Sequence, residues 1–306
     1  MTLSLSAKRV AKMVSDLRSL QHVLAVTIKQ LERLVGVLQW STIVFSCCRP
    51  YLRKMLDLLK TARPRSTRSS RVQLSDDARA DVLMWLQILE AFGLNNRPIA
   101  QVPLHASTCK AELYTDASFS AGGYFFGGRW RMWRWPAEWR AQRIGFFSSD
   151  DAIAICELEA LALLVAIRDV APLVGVAGRR VVMHIDNMPL VRMVAKLTTP
   201  SPACLVIIKE LMWWFVTYGI TAAPVHIRSE DNEIADALTR TDELSAHGLL
   251  EILRRWVNSH PDTTGWAVQS PMRPDLLQYM QRCDFDAPGR PHLGLHATCD
   301  ARFAFV

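Results

Sequence analysis

Seven cysteines are scattered through the 306 residues. Their number is odd, and none falls in a CxxC pair or a Cys/His ladder, which argues against a zinc knuckle or a disulfide framework. They read as reduced core thiols. A membrane-length apolar run is also missing. The longest stretch free of Asp, Glu, Lys and Arg runs from Leu211 to Ile227, near the ~17–25 residues a span needs, but Gly219, Pro224 and His226 interrupt it. A buried helix followed by a strand is expected there, and no membrane partner. The N-terminus places Lys8, Arg9, Lys12 and Arg18 among apolar residues without the continuous apolar core of a signal peptide, so an intracellular setting, cytoplasm or nucleus, is expected. There is no internal repeat.

What is present is a globular composition, with 50% hydrophobic and 21% charged residues. At ~100–200 residues per domain the length allows about two domains. Lys plus Arg total 36 against 29 Asp plus Glu, a net charge of +7, which makes a polyanionic partner plausible. Any acid facing phosphate would then need a cation between them.

From Leu5 to about Phe92 apolar residues recur at helical spacing: Val10, Met13, Val14 and Leu17; Ile28, Leu31, Leu34, Val35 and Leu38; Leu52, Met55, Leu56 and Leu59; Val82, Trp85, Leu86 and Leu89. An all-helical region over residues 1–100 is expected. Thr27 and the Leu74-Ser75-Asp76-Asp77 run supply helix starts, and Pro50 suits a first turn. The basic, hydroxylated segment Lys60 to Arg71 reads as an exposed loop, either a solvated linker or a phosphate contact.

After a Pro-containing connector (Pro98 to Pro103) the pattern changes. Strands are expected at Glu112–Asp116, Gly122–Phe126 and Trp130–Trp135, with Gly122-Gly123 and Gly127-Gly128 as turn residues. Then come a helix (Cys156–Val170), a strand (Arg180–Asp186), helices (Leu190–Lys196, Pro202–Tyr218), a strand (Thr221–Ile227) and a helix (Asn232–Thr239). Three strands followed by alternating helices and strands make an α/β domain with a mixed sheet. Asp116 and Asp186 each end a hydrophobic strand, where ligands bind in open α/β sheets. Neighbouring strands there would bring two carboxylates together, a repulsion relieved best by a hard divalent cation such as Mg²⁺ or Mn²⁺.

Four ordered blocks carry a family resemblance: LYTDASFSAGGYFF (113–126), ICELEALALLVAI (155–167), VVMHIDNMPLV (181–191) and EDNEIADALTR (230–240). Together they resemble the ribonuclease H domain of retroelement reverse transcriptases, most of all DIRS-like retrotransposons. Residues 27–59 and 74–92 resemble the thumb and connection region preceding that domain. The resemblance implies an α/β, ribonuclease H-like mixed five-stranded sheet flanked by helices over residues 108–243, preceded by a small all-helical thumb/connection region over 1–100. A C-terminal helix and irregular tail over 244–306 stay unmatched.

The family's Asp–Glu–Asp–Asp quartet implies Asp116, Glu159, Asp186 and Asp236 as ligands of two Mg²⁺ ions, Mn²⁺ substituting, and as the catalytic residues of RNA-strand hydrolysis in RNA–DNA hybrids. Glu157 competes with Glu159; Ala162 and Ala166 fit the family spacing only for Glu159. Asp231 competes with Asp236, but Asn232 to Arg240 aligns with the family's N-x-x-A-D-A-L-S-R and places Asp236; Asp231 and Asn232 read as a helix cap. Arg129, Arg131 and Arg134, interleaved with Trp130, Trp133 and Trp135 and followed by Trp139, Arg140 and Arg143, read either as a nucleic-acid face or as core tryptophans with solvated arginines. Asn187 could bind substrate or form a turn, and His226 reads as structural.

Departures qualify the resemblance. The palm's aromatic-x-Asp-Asp turn is absent, so no polymerase activity is expected, and the chain reads as a fragment, a degenerate copy or a domesticated remnant whose partners would be the palm and fingers of the reverse transcriptase polyprotein. Arg228-Ser229 replaces the common Pro-Gly before the last helix. The alternative function is a catalytically inactive nucleic-acid-binding module of the same fold. An integrase is disfavoured because its Glu comes last in order.

Overall fold

The structure, a computed structural model, describes residues 5–21, 23–63, 67–90, 111–135, 152–173, 176, 178, 180–240, 252 and 268–269. All lie within one compact unit, Met1–Pro271.

The N-terminal helices are α1 (Ala7–Leu20), α2 (Ile28–Ser41), α3 (Arg53–Ala62) and α4 (Asp76–Ile88), with a 3-10 helix over Ser46–Leu52. Thr27 starts α2 through a capping box with Gln30, and the Ser75 hydroxyl accepts the Ala78 N–H to start α4. The periodic apolar residues are buried, Leu17, Leu38, Met55 and Trp85 completely; Leu56 alone of that series is exposed. Pro50 lies within the 3-10 turn that leads into α3. The region is not all-helical. Strand β1 (Ala25–Thr27) pairs antiparallel with β2 (Arg71–Gln73). The pairing folds the basic segment back over the start of α2, where Ile28 N donates to Ser70 O and Lys29 N to Arg68 O, both at 3.0 Å. These bonds satisfy two of the orphan donors of a helix N-terminus. Arg63 and Arg68 both pair with Glu32.

The sheet region follows: β3 (Ala111–Ala117), β4 (Ala121–Phe126), β5 (Arg129–Arg134), α5 (Ala152–Val170), β6 (Arg180–Ile185), α6 (Met188–Lys196), α7 (Pro202–Tyr218), β7 (Thr221–His226), α8 (Glu233–Thr239) and the two-residue β8 (Val268–Gln269). The order in the sheet is β7-β6-β3-β4-β5-β8. Strands β3, β4 and β5 form an antiparallel meander, while β6 joins β3, and β7 joins β6, in parallel. The five expected strands therefore make an α/β, ribonuclease H-like mixed sheet flanked by helices. The short sixth strand lies parallel to β5.

Gly127 and Gly128 occupy the β4–β5 turn with positive φ, as expected. Gly122 and Gly123 instead lie inside β4, and close approach explains them. A Cβ on Gly123 would sit 2.8 Å from Leu238 Cβ of α8, and one on Gly122 would sit 2.6 Å from the Trp133 ring. Phe125, Ile234, Ala237 and Leu238 form the core beneath α8, with Ile252, a described residue of the expected C-terminal helix, packed against it. Within the expected irregular tail the described residues Val268 and Gln269 instead form β8; apart from these and Ile252, residues 244–306 lie outside the described ones.

The helical region is joined to the sheet region through α7. The Tyr51 hydroxyl donates to Lys209 O at 2.8 Å, and the Lys209 ammonium pairs with the buried Asp81 carboxylate of α4. Burial raises Asp81 to about 6 even though Lys209 pulls it down. Among the described residues no helix is long and apolar enough to cross a membrane. The Leu211 to Ile227 stretch is the end of α7, a left-handed Gly219 cap and β7.

Candidate active site

Parallel pairing of β3 with β6 runs from Ala111 opposite Val181 to Tyr114 opposite His184. Asp116 lies two residues past Tyr114 and Asp186 two past His184, so both acids are carried to the same sheet end. Asn187, next to Asp186, extends its amide to a third acid: Nδ2 donates to Glu159 Oε1 at 3.1 Å, while its Oδ1 accepts the Leu190 N–H and caps α6. The fourth, Asp236, sits on α8, whose Thr239 hydroxyl donates to Asp116 Oδ2 at 2.5 Å. That helix is also tied to β3 by Asn232 Nδ2 donating to Thr115 O and by Ser118 Oγ donating to Thr239 O, both at 3.1 Å.

The electrostatics express this convergence. Burial raises the Asp116 carboxyl to about 6, the Thr239 hydrogen bond opposes the rise, and the charges of Asp186 and Asp236 add to it. Burial raises Glu159 further, to about 8, against the Asn187 hydrogen bond and with the charges of Asp186 and Asp116. Asp186 accepts the Ser229 hydroxyl on Oδ2 at 2.9 Å, but its Oδ1 is buried without a hydrogen-bond partner. Asp236 Oδ1 pairs with Arg240 at 2.8 Å.

An orphaned buried carboxylate oxygen beside further oxygen donors, with no sulfur or imidazole among them, fits a hard divalent cation. The set is not closed as it stands. Among the described residues no three Asp, Glu, His or Cys side chains are gathered tightly enough to hold a metal ion. The protein's own donors, Thr239, Asn187, Ser229 and Arg240, each hold one of the four acids.

The competing acids face elsewhere. Glu157 accepts the Ser201 hydroxyl at the start of α7, and Asp231 pairs with Arg228. Asn232 makes no side-chain cap of α8 and is instead buried with its amide on Thr115 O.

For the expected nucleic-acid residues, Arg129 and Arg134 are exposed at the two ends of β5. Arg131 requires correction. Its side chain is 2% exposed, pairs with Asp169 at 2.9 Å and lies over the Tyr124 ring, so no substrate reaches it. The alternation of a strand, which turns every second residue inward, explains the reversal. Trp133 and Trp135 are core residues by the same alternation. Trp139, Arg140 and Arg143 lie outside the described residues.

Thr239 and Ser229 are site neighbours that the sequence reading does not single out, and His226, read there as structural, lies beside the site through a backbone contact. His226 Nε2 lies 3.2 Å from Asp186 O, and β7 places that His opposite Ile185. The available signal was the unusual Arg228-Ser229 pair, because Ser229 supplies the hydroxyl that meets Asp186.

No family's sequence model matches the chain, and no curated protein does. Among solved structures, the foamy viral protease-reverse transcriptase dRH in complex with double-stranded DNA is similar at 13% identity with a TM-score of 0.26, over 73% of this chain and 35% of that one. The chain thus spans about a third of that protein's length.

Proposed function

We propose that the chain is a ribonuclease H-like endonuclease that hydrolyses the RNA strand of RNA–DNA hybrids, and that it works as part of a retroelement reverse transcriptase whose palm and fingers lie on other sequence. The observation that carries this reading is the delivery of Asp116 and Asp186 to one end of adjacent parallel strands, with Asp186 Oδ1 buried and unpartnered. Asp116, Glu159, Asp186 and Asp236 would hold the metal ions. Metal ions held there would supply activation of a water molecule and stabilisation of the leaving 3′ oxygen of a phosphodiester.

The chain's own residues supply the frame. Asn187 fixes the direction of Glu159 while capping α6, and Thr239 ties Asp116 to the helix that carries Asp236. Arg129 and Arg134 are exposed at opposite ends of β5, and Arg134 is the one level with the acid end of β3, where a guanidinium would meet a backbone phosphate. Purified protein incubated with a labelled hybrid is expected to cut RNA only, in Mg²⁺ or Mn²⁺. Undiminished cutting by Asp186→Asn would defeat the assignment.

A second reading, a binding module without turnover, is favoured by one observation: each of the four acids is held by a protein donor and no three are gathered. It predicts salt-sensitive hybrid binding with no cleavage in either metal.

A further inference from the structure

Among the described residues from Ala111 onward, the large apolar side chains that stay exposed are Phe119 (52%), Met188 (37%) and Val225 (42%). Two of these three flank the acid cluster. Phe119 lies three residues past Asp116, in the turn between β3 and β4, and Met188 lies two past Asp186, at the first position of α6.

The turn that carries Phe119 is rigid. Ser118 N donates to Ala121 O at 2.9 Å, and the Ser118 hydroxyl accepts the N–H groups of Ser120 and Ala121. Trp135, buried, reaches back with its ring N–H to Ser118 O at 2.8 Å and with its backbone N–H to Ser120 O at 3.1 Å. The same Ser118 hydroxyl reaches Thr239 O, which couples the turn to the helix bearing Asp236. A loop that held its aromatic ring in water by accident would not need this many tethers. Burying Phe119 would also be simple in a fold that buries Tyr124, Phe125, Trp133 and Trp135. A ring held beside carboxylates that would bind phosphate only through metal ions suits a ligand with apolar and anionic faces side by side.

We propose that Phe119 and Met188 form an apolar lip that packs on the sugars and base edges of a bound RNA–DNA hybrid next to the scissile phosphate, an inference that rests on the nuclease reading above. The wide, shallow minor groove of an A-like duplex exposes those sugars and base edges to such a lip. Phe119 follows the Asp116 strand and Met188 the neighbouring Asp186 strand, so a phosphate held at the acids through metal ions would have one apolar residue on each strand's flank. The contact carries no charge. It therefore adds affinity without adding to the salt dependence that arginine–phosphate contacts create.

The test uses the full chain and a fluorescein-labelled RNA–DNA hybrid, with binding read by anisotropy in Ca²⁺ at several salt concentrations and melting temperature recorded in parallel. Phe119→Ala is expected to weaken binding about tenfold, the change that 1.4 kcal/mol of lost packing produces, with an unchanged salt slope and melting temperature. Phe119→Trp is expected to retain affinity, and Phe119→Ala with Met188→Ala to lose more than either alone. In cleavage assays the loss falls on KM rather than kcat. Equal hybrid affinity of parent and Phe119→Ala, a fall in melting temperature that accounts for the loss, or a parent that does not bind hybrid each overturns the lip. A parent that binds hybrid through Phe119 but cuts nothing in Mg²⁺ or Mn²⁺ defeats the nuclease reading and leaves the lip standing.

Discussion

Glu159→Gln separates what the site demands for chemistry from what it demands for folding. Burial and the neighbouring acids raise this carboxyl from 4.5 to about 8. The folded protein therefore binds the proton more tightly than the unfolded chain across that window, and stability falls as pH rises from about 4.5 to about 8. At about 1.36 kcal/mol per pH unit the rise bounds the effect near 5 kcal/mol, and local relaxation brings the expectation to about 2–5 kcal/mol. The side chain is only 9% exposed, so solvent screens little of it. A glutamine removes the charge and keeps an oxygen to accept Asn187 Nδ2. The metal-free variant is therefore expected to be more stable than the parent by about 2–5 kcal/mol at pH 8.5 and equal to it near pH 4.5. Urea titrations followed by tryptophan fluorescence in EDTA, at intervals from pH 4.5 to 8.5, read this directly. Equal or lower stability of the variant at pH 8.5, or a difference that does not change with pH, refutes the reasoning. The same variant is expected to lose hybrid cleavage, and added Mg²⁺ to raise the melting temperature of the parent more than that of the variant.

Lys209→Met strips the partner from buried Asp81 and is expected to cost about 3–5 kcal/mol at pH 7.5, shrinking at pH 5.5 as Asp81 takes up a proton; an equal loss at both pH values in denaturant titrations argues against it. Arg131→Met leaves Asp169 without its buried guanidinium and is expected to lower stability by about 3 kcal/mol, whereas Arg134→Ala is expected to reduce the salt slope of hybrid binding by about one. Gly123→Ala drives a methyl group against Leu238 and is expected to cost about 1–3 kcal/mol by displacing α8, with cleavage falling more than hybrid binding because α8 carries Asp236.

Much of this architecture was legible in the periodicity of apolar residues. Val10, Met13, Val14 and Leu17 repeat at helical spacing and are buried on one helix, and Leu113, Val181 and Met183 fill strands whose ends carry the acids. Thr27 and Ser75 announced helix starts because their hydroxyls have one energetically obvious use there. Pairing with a distant segment is not written locally. The β1–β2 ribbon joins residues far apart in sequence, and nothing in Ala25–Thr27 alone distinguishes it from a loop. The burial of Arg131 is hidden from the sequence for a related reason. Its charge predicts a surface position, and only the register of β5 against β4, together with Asp169 on α5, makes its burial affordable. The acids themselves came from motif resemblance, while the hydroxyls of Thr239 and Ser229 became visible once α8 and the β7 end were packed beside them.

The Lys209–Asp81 pair has a consequence for synthesis. The two residues are separated by 128 positions. At ~5–20 residues per second on the ribosome, α4 emerges roughly 6–26 s before its cation exists. During that interval the carboxylate of Asp81 lacks its direct ion-pair partner and feels only the more distant ammonium of Lys54, so the helical segment is not expected to close over it in final form. The nascent N-terminal half is thus expected to wait in an open state, a substrate for chaperones, until α7 arrives and seals both halves in one step.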